Sequence, residues 1–170
     1  MNHLNPYQPI QEKILIEGDI QFLAEKLVVK FQWSDPEGKI AMGDEIELER
    51  LHELWKHTCF EAFIHAEHQE SYYEINLSAT GGWNAYEFQK YRTPQPPQQT
   101  EQLILLSFHR EENLIEAQFE LKNHQHVWWC SLTAVVELTD GKKLYFAVEH
   151  KGDRPDFHLK ESFKLRRVNV

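Results

Sequence analysis

Apolar and polar residues alternate along most of the chain, and a period of two marks half-buried β-strands rather than helices. The clearest early run sets Leu27, Val29, Phe31 and Trp33 against Val28, Lys30 and Gln32, and it stops at Ser34-Asp35-Pro36-Glu37-Gly38. Ile10 to Ile16 and Ile20 to Leu23 read as weaker strands, split by Gly18-Asp19. From Thr58 onward the alternation predicts strands near 58–65, 71–78, 84–90, 102–110, 113–121, 127–138 and 143–150. Thr93-Pro94-Gln95-Pro96-Pro97-Gln98-Gln99 reads as a surface loop and Thr139-Asp140-Gly141 as a hairpin turn. Only Asp44 to Trp55 carries apolar residues at helical spacing, which predicts one short helix or a structured loop. Asp153 to Phe163 is irregular and is expected to pack back over one end. So many short strands predict a mostly β fold, an antiparallel β-sandwich of two facing sheets with at most one or two short helices. No repeat, long linker or low-complexity tract divides residues 1–170, so a single domain is expected.

The alternation also sorts each strand into two faces. In 58–65, Phe60, Ala62 and Ile64 oppose Cys59, Glu61 and Phe63; in 71–78, Tyr73, Ile75 and Leu77 oppose Tyr72, Glu74, Asn76 and Ser78. In 127–138, Trp128, Cys130, Leu132, Ala134 and Val136 oppose Trp129, Ser131 and Thr133. If these strands lie side by side, their second faces gather carboxylates, amides, hydroxyls and an indole on one surface. A sugar offers an apolar C–H face that an aromatic ring can cover and a rim of hydroxyls that need fixed donors and acceptors, so such a surface suits it. The competing reading is an ordinary polar sheet face with solvated glutamates.

Charge and composition narrow the partners. The net charge of −9, from 18 Lys and Arg against 27 Asp and Glu, argues against nucleic acid, which needs clustered cations. Lys164, Arg166 and Arg167 form the one basic cluster and read as a solvated end. No signal sequence and no apolar run of membrane-spanning length is visible, so a cytoplasmic protein without a membrane partner is expected. Cys59 and Cys130 are expected to be buried thiols.

Two blocks of residues go further. Leu54-Trp55-Lys56-His57-Thr58-Cys59-Phe60-Glu61-Ala62-Phe63, then Tyr73-Glu74-Ile75-Asn76-Leu77-Ser78, then Gly82-Trp83-Asn84-Ala85-Tyr86 with Tyr91-Arg92, resemble the bacterial DOMON-like proteins, relatives of the family 9 carbohydrate-binding modules. His150 followed by Arg154-Pro155-Asp156-Phe157-His158 and Phe163 is similar to the C-terminal signature of that group. The resemblance implies a jelly-roll-like β-sandwich with a ligand site on one concave sheet or its rim. Relatives bind sugars between aromatic rings, and others bind haem, so the fold does not fix the ligand.

The expected function is therefore binding of a small molecule, a sugar first of all, with catalysis not expected. Trp55, Glu61, Glu74, Asn76, Trp83, Tyr86, Arg92 and Trp129 are the candidate binding residues: rings for stacking, the others for hydrogen bonds. Two alternatives stay open. Cys59, His150, Asp156 and His158 could hold haem or a divalent metal, although no cofactor is required by the first reading, and His-x7-His is not a zinc spacing. Glu61 and Glu74 could instead serve as acid and base of a sugar-acting hydrolase, though no Gly-x-Ser-x-Gly nucleophile motif is present.

Overall fold

The alternating runs do form strands in the computed structural model, which describes residues 1–170. In chain order they are β1 (Asn2–Pro6), β2 (Leu15–Leu23), β3 (Lys26–Ser34), β4 (Glu49–Arg50), β5 (Cys59–Ala66), β6 (Tyr72–Leu77) and β7 (Gly82–Phe88). After them come β8 (Gln98–Gln99), β9 (Leu103–Glu111), β10 (Leu114–Leu121), β11 (Val127–Glu137), β12 (Lys143–Ala147) and β13 (Leu165–Val168). Helical structure is limited to single 3-10 turns at Leu54–Lys56 and Lys160–Ser162. Of the two forms expected over Asp44 to Trp55, a short helix or a structured loop, the loop is found, with Leu51 and Leu54 packed against Gly82, where their methyl groups would crowd any Cβ. No helix is long and apolar enough to cross a membrane.

The strands join into one curled, mixed sheet in the order β4-β7-β6-β5-β11-β12-β1-β2-β3-β10-β9, with β8 on β7 and β13 on β11. Only β4 and β7 run parallel. β1 is the hinge of the curl, since Asn2, His3 and Leu4 pair with β2 while Asn5 and Pro6 pair with β12. The curl brings distant strands face to face. Phe22 of β2 stacks on Trp128 of β11 at 5.3 Å, Trp33 of β3 on Phe60 of β5 at 4.9 Å, and Trp83 of β7 meets Phe119 of β10 edge-on at 5.9 Å. Apart from the partly buried Trp83, which packs against it, these rings belong to one continuous core of 31 buried residues, so the facing strands are held by a single hydrophobic interior.

Two details depart from the pattern-based reading. Gly18 does not split the N-terminal segment; β2 runs straight through it, paired with Phe31 of β3. A Cβ at Gly18 would sit 3.0 Å from the Phe31 ring, so the glycine makes room for a core aromatic rather than a turn. The basic C-terminal cluster is likewise no free end. β13 pairs with the first part of β11, and Arg167 donates to the Ile20 carbonyl at 3.0 Å and faces Asp19 at 3.7 Å.

β5 and β6 are buried on both faces. Every residue of β6, and every residue of β5 except His65, is buried, so the alternation that marks a half-exposed strand is lost here. One face joins the main core. The other carries a second cluster of Phe63, Tyr72, Tyr86, Phe88 and Phe163, roofed by the irregular segment after β12. That segment packs back as expected, but over a sheet face rather than over one end, with Phe163 buried against Phe63 at 5.8 Å.

Trp128 is fully buried where the two halves meet, and its indole donates to the Gln125 carbonyl at 3.2 Å. Trp128→Ala is expected to cost about 3–5 kcal/mol through lost burial and an unfilled cavity. The midpoint of chemical unfolding measures this, and a loss below about 1 kcal/mol would show that the halves are not joined through this residue.

Candidate functional site

Strand register decides which side chains share the second face. Glu61 stands between Thr133 of β11 and Asn76 of β6, and Glu74 stands between Phe63 of β5 and Tyr86 of β7. Cys59 pairs with Val135, which in turn pairs with Tyr145 of β12. Three connections close over this face: the 3-10 turn that carries Trp55 and Lys56, the loop after β7 that carries Arg92, Gln95 and Pro97, and the segment after β12 that carries Pro155, Phe157 and His158.

Between them lies an open cleft of about 340 Å³, in the size range of small-ligand sites. Its floor is Glu61 and Glu74; its walls include the rings of Trp55, Tyr145 and Phe157, with Lys56, Arg92, Lys143 and His158 around them. Trp55 stands edge-on to Tyr86 at 5.9 Å, and Phe157 edge-on to Tyr145 at 6.2 Å, so the rings are held by other rings rather than left free.

The loops are fixed by a polar knot. Asp156 accepts from Tyr91 Oη at 2.5 Å, from Arg92 Nη2 at 3.0 Å and from the His158 backbone N–H at 3.1 Å. Arg92 takes a left-handed backbone, φ 48°, and its N–H donates to Tyr72 Oη at 3.1 Å. Tyr72 Oη lies 2.7 Å from His158 Nδ1. With Tyr72 accepting from the Arg92 amide and donating to Nδ1, the imidazole proton sits on Nε2, which faces Glu74 Oε2 at 3.7 Å.

Burial sets the electrostatics of the floor. Glu61 and Glu74 are only 3% and 5% exposed, which rules out the solvated-face reading of these two carboxylates. Desolvation pushes Glu74 up to about 7, with the Asn76 amide and Arg92 pulling against it. Glu61 is pushed well above the usual carboxylate range by burial and then by Glu74, while hydrogen bonds from Thr133 and Cys59 partly oppose this. Burial beside these two acids also pushes the Cys59 thiol up, so Cys59 stays neutral. His158 is driven down to about 3 by burial and by Arg92 and is a neutral imidazole. Asp156 goes the other way. Burial would raise it, but its bonds from Tyr91, His158 and Arg92 outweigh that and hold it below the usual range.

Of the residues singled out from the sequence, Trp55, Glu61, Glu74 and Arg92 come together in the cleft, and His158 joins them. Asn76 and Tyr86 lie on the same face but beneath the surface, Tyr86 with its hydroxyl on His52 Nδ1 at 3.2 Å. Trp83 is elsewhere. Its place in β7 alternates with Asn84 and Tyr86, so it points into the main core side, against Phe119 and under the Arg50 guanidinium at 5.0 Å. Trp129 shares the face of Thr133 but stands opposite His65 at the far end of β11, its indole directed to Glu67 at 3.4 Å. His150 is held away from His158, bonded to the Asn5 carbonyl at 2.8 Å. No group of three or more His, Cys, Asp and Glu side chains converges as a metal site would require.

Tyr145, Lys143 and Phe157 line the cleft without having been anticipated. A signal for the first two existed: continuing the polar face of β11 through the turn at Gly141 puts Lys143 and Tyr145 on the side of Val135, opposite Leu144 and Phe146.

No protein-family model and no curated protein sequence matches the chain. Solved structures do. A candidate carbohydrate-binding protein from Bacteroides uniformis superposes with a TM-score of 0.63 at 12% identity, over 98% of this chain and 86% of that one. A family 9 carbohydrate-binding module from Caldicellulosiruptor kristjanssonii, solved in complex with cellotriose, superposes with a TM-score of 0.57 at 8% identity, over 98% and 80%. The chain shares the fold of the family 9 carbohydrate-binding modules. This agrees with the resemblance carried by the Trp55 to Phe63 and Tyr73 to Ser78 blocks, and identities this low speak for the fold alone.

The raised Glu74 and the lowered His158 act on stability in opposite directions. Folded Glu74 keeps a proton that the unfolded chain releases near 4.5, so its contribution is complete below about pH 4.5 and is lost as pH rises through about 7. Folded His158 refuses a proton that the unfolded chain takes near 6.5, so its contribution is complete above about pH 6.5 and is lost as pH falls toward about 3. Glu74→Gln abolishes the first effect. Its melting temperature relative to the parent protein is expected to rise between about pH 5 and about pH 8; a difference that stays flat across that range would show that Glu74 is not buried as a strained acid.

Proposed function

We propose that this protein binds a sugar in the cleft above Glu61 and Glu74, and that its curled sheet works as a sandwich of two facing sheets whose outer concave face holds the ligand. The observation that carries the reading is the pairing of buried hydrogen-bond acceptors with fixed rings in one open cleft. Glu61 and Glu74 are desolvated at the floor, Trp55, Tyr145 and Phe157 stand at the walls, and Arg92 and Lys143 supply donors at the rim.

Each part has a role in recognition. The Trp55 indole covers the C–H face of a pyranose, which buries apolar area and gains from the ring's electron-rich face. Glu61 and Glu74 bond to hydroxyls, accepting through their oxygens and donating where they keep a proton, and their desolvation makes each bond stronger than it would be in water. Arg92 is held by Asp156 and the left-handed turn, so its remaining N–H groups are presented without a loss of freedom on binding. The likeness in fold to a module solved with cellotriose supports a sugar as the ligand.

Calorimetric titration with a panel of mono- and disaccharides tests this. Trp55→Ala and Glu61→Gln are each expected to weaken the best ligand by about tenfold or more, or about 1.4 kcal/mol. Trp83→Ala, from the core side, is expected to lower the melting temperature and leave affinity within about twofold. Unchanged affinity in both Trp55→Ala and Glu61→Gln would remove the cleft from consideration as the site.

A further inference from the structure

The floor of the cleft gathers two buried acidic side chains, and no cation is in contact with either of them. Glu61 accepts from the Thr133 hydroxyl at 3.1 Å, and the nearest charged-type partner of Glu74 is His158 Nε2 at 3.7 Å, on an imidazole that is neutral. The cations that share the cleft are engaged elsewhere or sit at its edge. Arg92 is paired with Asp156 at 3.0 Å and Lys56 with Glu53, and both stand among the rim residues. Beside Glu61, Asn76 is fully buried; its carbonyl oxygen has no protein partner, and its amide, which pulls on Glu74, makes no well-formed hydrogen bond. Two acidic side chains are thus gathered at the base of a cavity that opens to solvent, with the Asn76 amide buried beneath them.

Resting on the sugar-binding reading of this cleft, we infer that its ligand is an amino sugar, whose ammonium group sits over Glu61 and Glu74 while the ring lies against Trp55. A buried carboxylate without a counter-charge is costly, and it is relieved either by a proton or by a cation. A neutral hydroxyl brings one donor and no charge. An ammonium brings three donors and a full positive charge, enough to bond both carboxylates at once. The other groups that face the pair do not compete for it: Cys59 on β5, Tyr72 on β6 and Tyr86 on β7 are neutral, and burial pushes all three up. Lys143, which has no carboxylate partner, stands at the rim and meets the hydroxyls at the other end of the sugar.

Glucosamine, glucose and ethanolamine, titrated separately into the protein, separate the possibilities. Glucosamine is expected to bind about tenfold or more tightly than glucose. In Glu74→Gln that ratio is expected to fall toward one. Glucosamine and ethanolamine share the amine but not the ring, so ethanolamine is expected to bind far more weakly. Equal affinity for glucose and glucosamine, or a ratio that survives Glu74→Gln, overturns the amine assignment and leaves the sugar reading standing. Ethanolamine binding as tightly as glucosamine overturns the assignment of a sugar. Binding of none of the three, together with none of the saccharide panel, overturns both.

Discussion

Burial of β5 and β6 on both faces is the constraint on which the site depends. A sheet that faced water on one side would leave Glu61 and Glu74 hydrated and ordinary. Here one face of the two strands is sealed by the 31-residue core, and the other carries an aromatic cluster from β5, β6 and β7 that Phe163, with Phe157 beside it, closes from the 149–163 segment. The carboxylates are caught between a dry sheet and a cleft, so their chemistry is set by desolvation rather than by salt bridges. The knot around Asp156 matters for the same reason. By tying Tyr91, Arg92 and the His158 amide to one carboxylate, it holds two loops over the strands at fixed positions.

Much of this was legible in the residues, and what was not has identifiable physical causes. The strand runs from Thr58 onward follow from period-two alternation, and the sorting of Glu61, Glu74 and Thr133 onto one face follows from the same parity. Alternation does not say whether a polar face is wet, because covering loops are set by tertiary packing. Gly18 misled for a related reason: a glycine admits either a turn or a close ring, and only the partner strand shows that Phe31 needs the space. β13 was hidden because four residues with two arginines carry no apolar stripe; its pairing with β11 and the bond from Arg167 to Ile20 supply what the side chains do not.

The aromatic residues show the limit of reading a site from residue type. Trp55, Trp83 and Trp129 are all stacking candidates by residue type, with Trp129 foremost by its place on a polar face, yet they stand in three environments. Parity separates Trp83 from the others, whereas position along β11 separates Trp129, which shares the parity of Thr133 but lies beyond the loops that form the cleft. The paired glutamates were the more robust signal, since adjacent strands bring them together by register and no loop conformation is needed. A fold shared at 8–12% identity is consistent with this division: the packing pattern persists while the chemistry must be read from the side chains in place.

The most direct measurement is a crystal structure of the protein grown with a saturating amino sugar. The expected result is a pyranose ring against Trp55 with polar atoms of the ligand within about 3 Å of Glu61 and Glu74. A ligand seated elsewhere, such as the cavity beside His57 and Glu137, with the cleft over Glu61 left open, would contradict the account.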